Sequence, residues 1–344
     1  MKDDKNFLPI VVAEAGINHN GSLQTAFELV QMAADSGADY VKFQTYNPSR
    51  LLSRETPLAG YQDSVVADTR NQNDLLESCA FTAFQFRKIR DFCDVCGIGF
   101  LSTAFDLESL GIVCSLAPDL LKIPSGEITN WFLLKAIAAR GLPVLMSTGM
   151  ASDHEIRNAI NTLIDHGLPR DAITLLHCIS EYPAPEQNLC LTNISRLKEV
   201  FGLNVGYSDH SLGITAAVAA TALGATVIEK HITLDSSSTL GPDHLASIEI
   251  SDLKRMISEI GRVRKMIGHS LNRSSVEMEN ALVVRKSIFV SKSIAPGDEF
   301  SETNLEALRP AYGISPMEVP NIVGRKSLVS LEAGELLKRE HFEN

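Results

Sequence analysis

Eight short β-rich runs, each separated from the next by a helical pattern, occupy the first 231 residues of this chain. They lie near 9–13, 40–44, 99–102, 120–123, 144–147, 174–178, 204–207 and 227–231. Strands that alternate with helices pair in parallel, and eight of them in roughly 250 residues are what a closed barrel requires. The spacers support this. Residues 23–36 carry Ala26, Leu29, Val30 and Ala33 close to the 3.6 period, and 153–165 and 251–267 behave likewise. Ser22, Ser152 and Ser251 read as N-caps, and Gly37, Gly97, Gly141, Gly167 and Gly224 read as C-caps leading into strands. The fold expected is α/β, a (β/α)8 barrel followed by a small β-rich domain.

At 344 residues the chain exceeds one barrel. The expected division is a barrel over 1–268, a polar linker over 269–280 and a β-rich module over 281–344. Within that module Ser293-Ile294-Ala295-Pro296-Gly297-Asp298-Glu299-Phe300 resembles Ser330-Leu331-Glu332-Ala333-Gly334-Glu335-Leu336-Leu337. Each reads as strand, Gly turn, strand, so the module is expected to be pseudo-symmetric. The segment 47–80 breaks the barrel rhythm. Long loops on the C-terminal face of a barrel usually cover the active site.

Lys and Arg number 31 against 42 Asp and Glu, a formal charge of −11, which argues against nucleic acid as a partner. The longest low-polarity stretch, 214–228, contains three Thr and a Gly and falls short of the roughly 20 apolar residues of a membrane span. No secretory signal is visible, since the first apolar run, 7–13, meets Glu14 at once. Six cysteines in such a chain are expected to be reduced thiols, and the protein to be cytoplasmic.

In a parallel barrel the reacting groups gather at the C-terminal ends of the strands. Reading just past each run gives Glu14, Lys42 with Gln44, Thr103, Lys122 with Ser125 and Glu127, Ser147, His177 and Tyr182, Ser208 with His210, and His231. A single strand-end Lys is as often a rim salt bridge as a ligand group. Two of them beside hydroxyls suit an anion such as a phosphate, Lys supplying charge and the hydroxyls oriented donors. A lone His is more often a hydrogen-bonded core residue. His210 and His231, on consecutive strands beside Asp209 and Glu229, instead suggest a metal site with open positions, suited to Mn2+ or Mg2+. Glu14 reads equally as a proton-transfer or sugar-binding carboxylate and as a helix N-terminal charge. Cys93-x-x-Cys96 lacks a partner pair and reads as i,i+3 on a helix. His177 stays open between the barrel interior and its outer layer.

Several ordered motifs carry a resemblance: Glu14-Ala15-Gly16-Ile17-Asn18-His19-Asn20-Gly21, Val41-Lys42-Phe43-Gln44-Thr45, Leu121-Lys122-Ile123-Pro124-Ser125-Gly126-Glu127, Met146-Ser147-Thr148-Gly149-Met150, Glu181-Tyr182-Pro183-Ala184-Pro185, Gly206-Tyr207-Ser208-Asp209-His210, Ile228-Glu229-Lys230-His231 and Gly241-Pro242-Asp243-His244. Over nearly its whole length the chain resembles the sialic acid synthase family. The resemblance implies a (β/α)8 barrel, an antifreeze-like (SAF) tail from about Ala281, and a domain-swapped homodimer in which each tail covers the other subunit's barrel. It implies condensation of phosphoenolpyruvate with an open-chain, N-acylated mannose-type sugar. C3 of phosphoenolpyruvate attacks the aldehyde, water adds at C2, and phosphate leaves by C–O cleavage. Lys42, Thr103, Lys122, Ser125, Ser147 and Ser208 would then hold phosphoenolpyruvate, and His210 and His231 a Mn2+ or Mg2+. Glu14, Tyr182 and Asp243 would contact the acceptor and water at the metal, and Gln44 belongs to the same substrate-binding group. Glu127 would handle a proton or position a group, and Arg309 of Leu308-Arg309-Pro310 would reach the acetamido group.

Ala104 stands where many relatives have Pro, and Ser236-Ser237-Ser238-Thr239-Leu240 replaces a stretch that is often charged. The second departure lies near the sugar site. N-acetylmannosamine, giving N-acetylneuraminate, is the first expectation. The alternatives are 2,4-diacetamido-2,4,6-trideoxymannose, giving N,N'-diacetyllegionaminate, and a pyruvate-type metal-dependent aldolase. A sugar- or ice-binding protein is the non-enzymatic rival, suggested only by the tail.

Overall fold

A computed structural model of the chain describes residues 8–51, 72–238, 243–267 and 272–342. The middle of the long segment 47–80, Thr239 and Leu240, Gly241 and Pro242 of the Gly-Pro-Asp motif, and part of the expected linker lie outside the described residues. The chain forms two compact units, Met1–Gly268 and His269–Asn344.

The first unit is a closed parallel barrel in the order β1 to β8. Its strands are β1 Ile10–Gly16, β2 Tyr40–Thr45, β3 Gly99–Ala104, β4 Leu121–Ile123, β5 Val144–Ser147, β6 Ile173–Cys178, β7 Asn204–Asp209 and β8 Val227–His231. Its helices are α1 Leu23–Ser36, α2 Pro48–Leu51, α3 Gln72–Cys79, α4 Ala83–Cys96, α5 Leu107–Ser115, α6 Trp131–Ala138, α7 Asp153–Asp165, α8 Asn193–Phe201, α9 Thr215–Ala222 and α10 Ile250–Met266. Ser22 and Ser152 cap α1 and α7 as expected, Ser152 in a reciprocal capping box with Glu155. Ser251 does not cap: α10 starts one residue earlier, after Glu249. Gly37 and Gly97 are left-handed C-caps, while Gly141, Gly167 and Gly224 have the same positive φ just beyond their helix ends.

Alternation along the strands divides the side chains between two environments. Val11, Ala13, Val41, Phe43, Phe100, Leu121, Val144, Leu175, Val205 and Ile228 join the helices' Leu29, Ile89, Leu133, Ile160, Leu197 and Met256 in the main core. The residues between them face the lumen. There Val12, Leu101, Leu120, Leu145, Leu176 and Val227 form a separate apolar plug, packed by Ile10 and Tyr40. Gly206 leaves room for this plug, since a Cβ there would lie 2.6 Å from the Val227 carbonyl oxygen. One step further along each strand the lumen turns polar.

Four strands, β1, β2, β3 and β7, run beyond their sequence limits. Glu14 lies inside β1, Thr103 inside β3 and Asp209 inside β7, not after them. Lumen-facing polar side chains weaken the hydrophobic signal, while the backbone ladder continues.

The second unit has its own core of Ile288, Val290, Ile294, Phe300, Leu305, Ile322, Leu331 and Leu337. Helix α11, Ser275–Val284, begins inside the stretch read as a linker, behind a Ser274–Glu277 capping box. Strands β9 Ser287–Val290 and β10 Leu305–Leu308 pair antiparallel. The two similar segments are Gly turns flanked by single bridges, not the strands expected of them, and they pair with each other through Ile294 and Leu331. Gly297 and Gly334 take matching φ values of 92° and 89°, which favours Gly at both turns.

Candidate active site

The polar half of the lumen gathers most of the residues picked from the strand ends. Glu14 on β1 is paired in register with Lys42 on β2 and with His231 on β8, which closes the barrel. Lys42 Nζ lies 3.0 Å from Glu14 Oε2 and donates to Thr103 Oγ1 at 3.1 Å. Gln44 donates weakly to Glu14 at 3.4 Å. Lys122 Nζ donates to Ser147 Oγ at 2.7 Å. Ser125 opens the short turn after β4, accepts from the Gly149 N–H at 3.1 Å and sits 3.2 Å from Cys178 Sγ. Gly16 stands where Glu14, Gln44 and Asp243 converge: a Cβ there would fall within 3.3–3.6 Å of all three, at a φ of +54°.

The centre of this cluster is Glu229, a residue absent from the expected site. Its carboxylate lies 3.5 Å from Lys42 and 3.6 Å from Lys122, and accepts from Ser208 Oγ at 2.8 Å. Period-2 counting back from His231 would have found it, because Val227, Glu229 and His231 share one face. Asn18 was also missed as a positioning group. Its amide donates to the Ile232 carbonyl and to Ser247 Oγ, both at 2.9 Å, tying the loop after β1 to the loop that carries Asp243.

His210 and His231 meet with ring centroids 5.4 Å apart, both buried. Tyr182 stacks on His210 at 4.1 Å and meets His231 edge-on at 5.7 Å. His210 Nδ1 bonds the Ile179 carbonyl at 2.6 Å, so that nitrogen must be the donor and Nε2 keeps its lone pair. Buried His231 Nδ1 has no hydrogen-bond partner. Asp243 Oδ2 lies 3.8 Å from it, beyond hydrogen-bond reach. Burial pushes His210 down to about 4 and His231 well below the ordinary imidazole range, so both are neutral at pH 7. Two adjacent neutral imidazoles, one fixed as a tautomer and one with an orphaned nitrogen, fit a divalent cation. Two imidazoles alone would leave such an ion positions open for substrate; among the described residues no group of three or more His, Cys, Asp or Glu could hold a metal ion.

Charges in the lumen are strongly tuned. Burial raises the Glu14 carboxyl well above its usual range, with neighbouring Glu229 adding to the rise against the pull of Lys42. Burial raises Asp243 to about 6. Burial would also raise Glu229, but Lys122 and Lys42 together outweigh it and keep that carboxylate ionised. The geometry thus offers two ammonium groups, a row of hydroxyls, a protonatable carboxyl and a neutral imidazole pair in one buried cluster.

The other expected residues have surroundings of their own. Half-buried Glu127 accepts from Asn130 at 2.6 Å at the start of α6 and has no described hydrogen bond to the central cluster. Arg309 follows β10 on the second unit, exposed there. His177 faces the outer layer: it bonds the Leu189 carbonyl and lies in register with Tyr207 of the main core. Cys93 and Cys96 lie on α4 as free thiols. No helix among the described residues is long and apolar enough to cross a membrane.

A family model described as NeuB family matches residues 29–272, and the SAF domain matches residues 285–343. The chain is 42% identical over 330 residues to the N,N'-diacetyllegionaminic acid synthase of Campylobacter jejuni, covering 96% of this chain and 98% of that protein. It is 40% identical to the enzyme of the same name from Legionella pneumophila, covering 97% and 94%. Among solved structures, the N-acetylneuraminic acid (sialic acid) synthetase of Leptospira borgpetersenii superposes with a TM-score of 0.71 at 34% identity, covering 80% of this chain and 90% of that one. By sequence and by fold, the chain belongs to the NeuB family, with a SAF domain at its C-terminal end.

Proposed function

We propose that the chain is a nonulosonate synthase condensing phosphoenolpyruvate with an N-acylated mannose-type aldehyde. The observation that carries this is the lumen itself, where an anion-binding group and a neutral histidine pair share one buried cluster. Lys42 and Lys122, with Thr103, Ser125, Ser147 and Ser208, hold the phosphate and carboxylate of phosphoenolpyruvate. Glu14, Gln44, Tyr182 and Asp243 face the acceptor, and Arg309 binds its acetamido group. C3 of phosphoenolpyruvate bonds to the aldehyde carbon, water supplies the C2 oxygen, and the C2–O bond to phosphate breaks. Glu14, whose raised carboxyl carries a proton near neutral pH, delivers it to the aldehyde oxygen as C–C bonding proceeds. Glu127, also raised by burial, is the second proton-handling candidate. His210 and His231 would hold Mn2+ or Mg2+, which supplies Lewis acidity toward that same oxygen.

For the acceptor, the resemblance to the sialic acid synthase family puts N-acetylmannosamine first. The names of the relatives at 42% and 40% identity favour the alternative, 2,4-diacetamido-2,4,6-trideoxymannose. We adopt that sugar, with N,N'-diacetyllegionaminate as product. The test is phosphate release from phosphoenolpyruvate with Mn2+ and each sugar in turn. Faster release with the diacetamido sugar supports the reading. Preference for N-acetylmannosamine reverses it, and release with neither removes both.

The assembly we propose is a domain-swapped homodimer in the cytoplasm, where the six free cysteines stay reduced. Helix α11 supports an intermolecular role for the second unit. Val276, Met278, Leu282, Val283 and Val284 are all at least half exposed on it.

A further inference from the structure

Lys42 and Lys122 are both about 4% exposed, and two ammonium groups brought together out of water repel each other. Left alone, such a pair would separate or lose a proton. The structure answers with one carboxylate between them. Glu229 turns one oxygen to each lysine, Oε2 to Lys42 at 3.5 Å and Oε1 to Lys122 at 3.6 Å. Its own orientation is fixed from β7, where Ser208 donates to Oε1 at 2.8 Å. Strand β8 holds its backbone, paired with Ser208 on one side and Val12 on the other.

We infer that Glu229 is a positioning residue which bridges Lys42 and Lys122 and keeps them as one charged, correctly spaced clamp for phosphoenolpyruvate. This rests on the reading of the lumen as a phosphoenolpyruvate site.

The two lysines differ in how far they depend on the bridge. Lys42 has a second carboxyl, Glu14, at 3.0 Å. Lys122 has Ser147, a neutral partner, and Glu229 alone as a close described carboxylate. Burial already lowers Lys122, with Glu229 opposing the fall. Removing the bridging charge therefore disarms Lys122 first. Held at two oxygens, the ammonium groups also stay at one separation, and a misplacement of about 1 Å in such a site costs on the order of 100-fold in rate.

The test compares wild type, Glu229→Gln, Lys122→Met and the double variant from pH 7 to 10, as the full chain with Mn2+. Phosphate release is measured with the acceptor that wild type uses, and phosphoenolpyruvate binding without acceptor by calorimetry. Glu229→Gln is expected to lower kcat/KM for phosphoenolpyruvate about 100-fold while KM for the acceptor moves less than about threefold. Its alkaline limb should move down by about one pH unit or more, because Lys122 gives up its proton sooner. In the Lys122→Met background the same substitution should add less than about threefold, since the two act as a unit. An unmoved limb, losses that multiply, or an equal rise in both KM values overturns the inference. Should Glu229→Gln not fold, Glu229→Asp retains the charge while shortening the bridge. It should raise KM for phosphoenolpyruvate alone, and a matching rise for the acceptor overturns the inference. Wild type that binds phosphoenolpyruvate without releasing phosphate refutes the synthase reading, and the binding arm then decides the role of Glu229. Wild type that does not bind it refutes both.

Discussion

At the scale of single residues, the Ile179 carbonyl fixes the tautomer of His210 and burial keeps it neutral, the state a cation ligand requires. His210→Ala should leave a folded chain whose turnover falls at least about 100-fold, with Mn2+ affinity falling alongside. Unchanged turnover at saturating Mn2+ would remove the metal assignment. His19 behaves differently. It stacks on Phe81 at 4.1 Å and accepts from the Gly21 N–H at 3.1 Å, and burial pushes it down from 6.5 to about 4. Its neutral form therefore stabilises the fold fully above pH 6.5, and that contribution is lost as pH falls through 4. The shift corresponds to about 3 kcal/mol. Urea unfolding of wild type and His19→Gln should converge by this amount between pH 7 and pH 4, and parallel curves would refute it. The site was legible in the sequence wherever a chemical residue stood at a strand end. Glu229 escaped because it sits two residues inside β8, where position alone looks like core. Arg309 was legible only through resemblance, since it stands at no barrel strand end.

At the scale of elements, β7 and β8 carry polar groups on both faces. The lumen face holds Ser208, Glu229 and His231. On the opposite face Lys230 and Asp209 form an ion pair at 3.0 Å, with no exposed surface on either side chain. Lys230 also donates to the Ser211 carbonyl, and Asp209 accepts from the Ser211 N–H and hydroxyl. These bonds fold the chain after β7 back onto β8, on either side of His210. Breaking one half of a buried pair is far costlier than replacing both. Asp209→Ala should lose about 3–5 kcal/mol in urea unfolding, whereas Asp209→Leu with Lys230→Met should recover most of it. Equal losses would mean that packing, not charge, dominates there. Such a pair also explains why strand ends were harder to read than strand starts. The starts follow apolar alternation into the plug and the outer core. The ends are polar inside for chemistry and, on β7 and β8, polar outside for anchoring, so hydrophobicity stops before the ladder does. In the tail the repeat was legible, but single bridges replaced strands because each Gly turn leaves only one residue on either side to pair.

At the scale of the whole molecule, each unit buries its own core, and neither core reveals how subunits combine. Composition and periodicity report burial within a chain, so the split into barrel and tail could be read from sequence while the assembly could not. Function offers a way to read it. Truncation to residues 1–268 should leave a folded barrel with little turnover, and full activity would deny the tail any catalytic part. Truncation alone cannot say whose tail serves which barrel, but pairing two defects can. Let one chain carry His210→Ala, expected to disable its barrel, and another Arg309→Ala, expected to weaken its tail's grip on the acceptor. If every tail serves its own barrel, each chain of a mixed dimer is defective and mixing restores nothing. If tails are exchanged, the intact barrel of the Arg309→Ala chain receives the intact tail of the His210→Ala chain, and one of the two sites is whole. Random pairing makes half the dimers mixed, so co-refolding equal amounts should restore about a quarter of wild-type turnover. Activity that stays at the average of the two parents would refute the exchanged dimer. A dimer that forms by sedimentation without this rescue would show that the chains associate through some other surface.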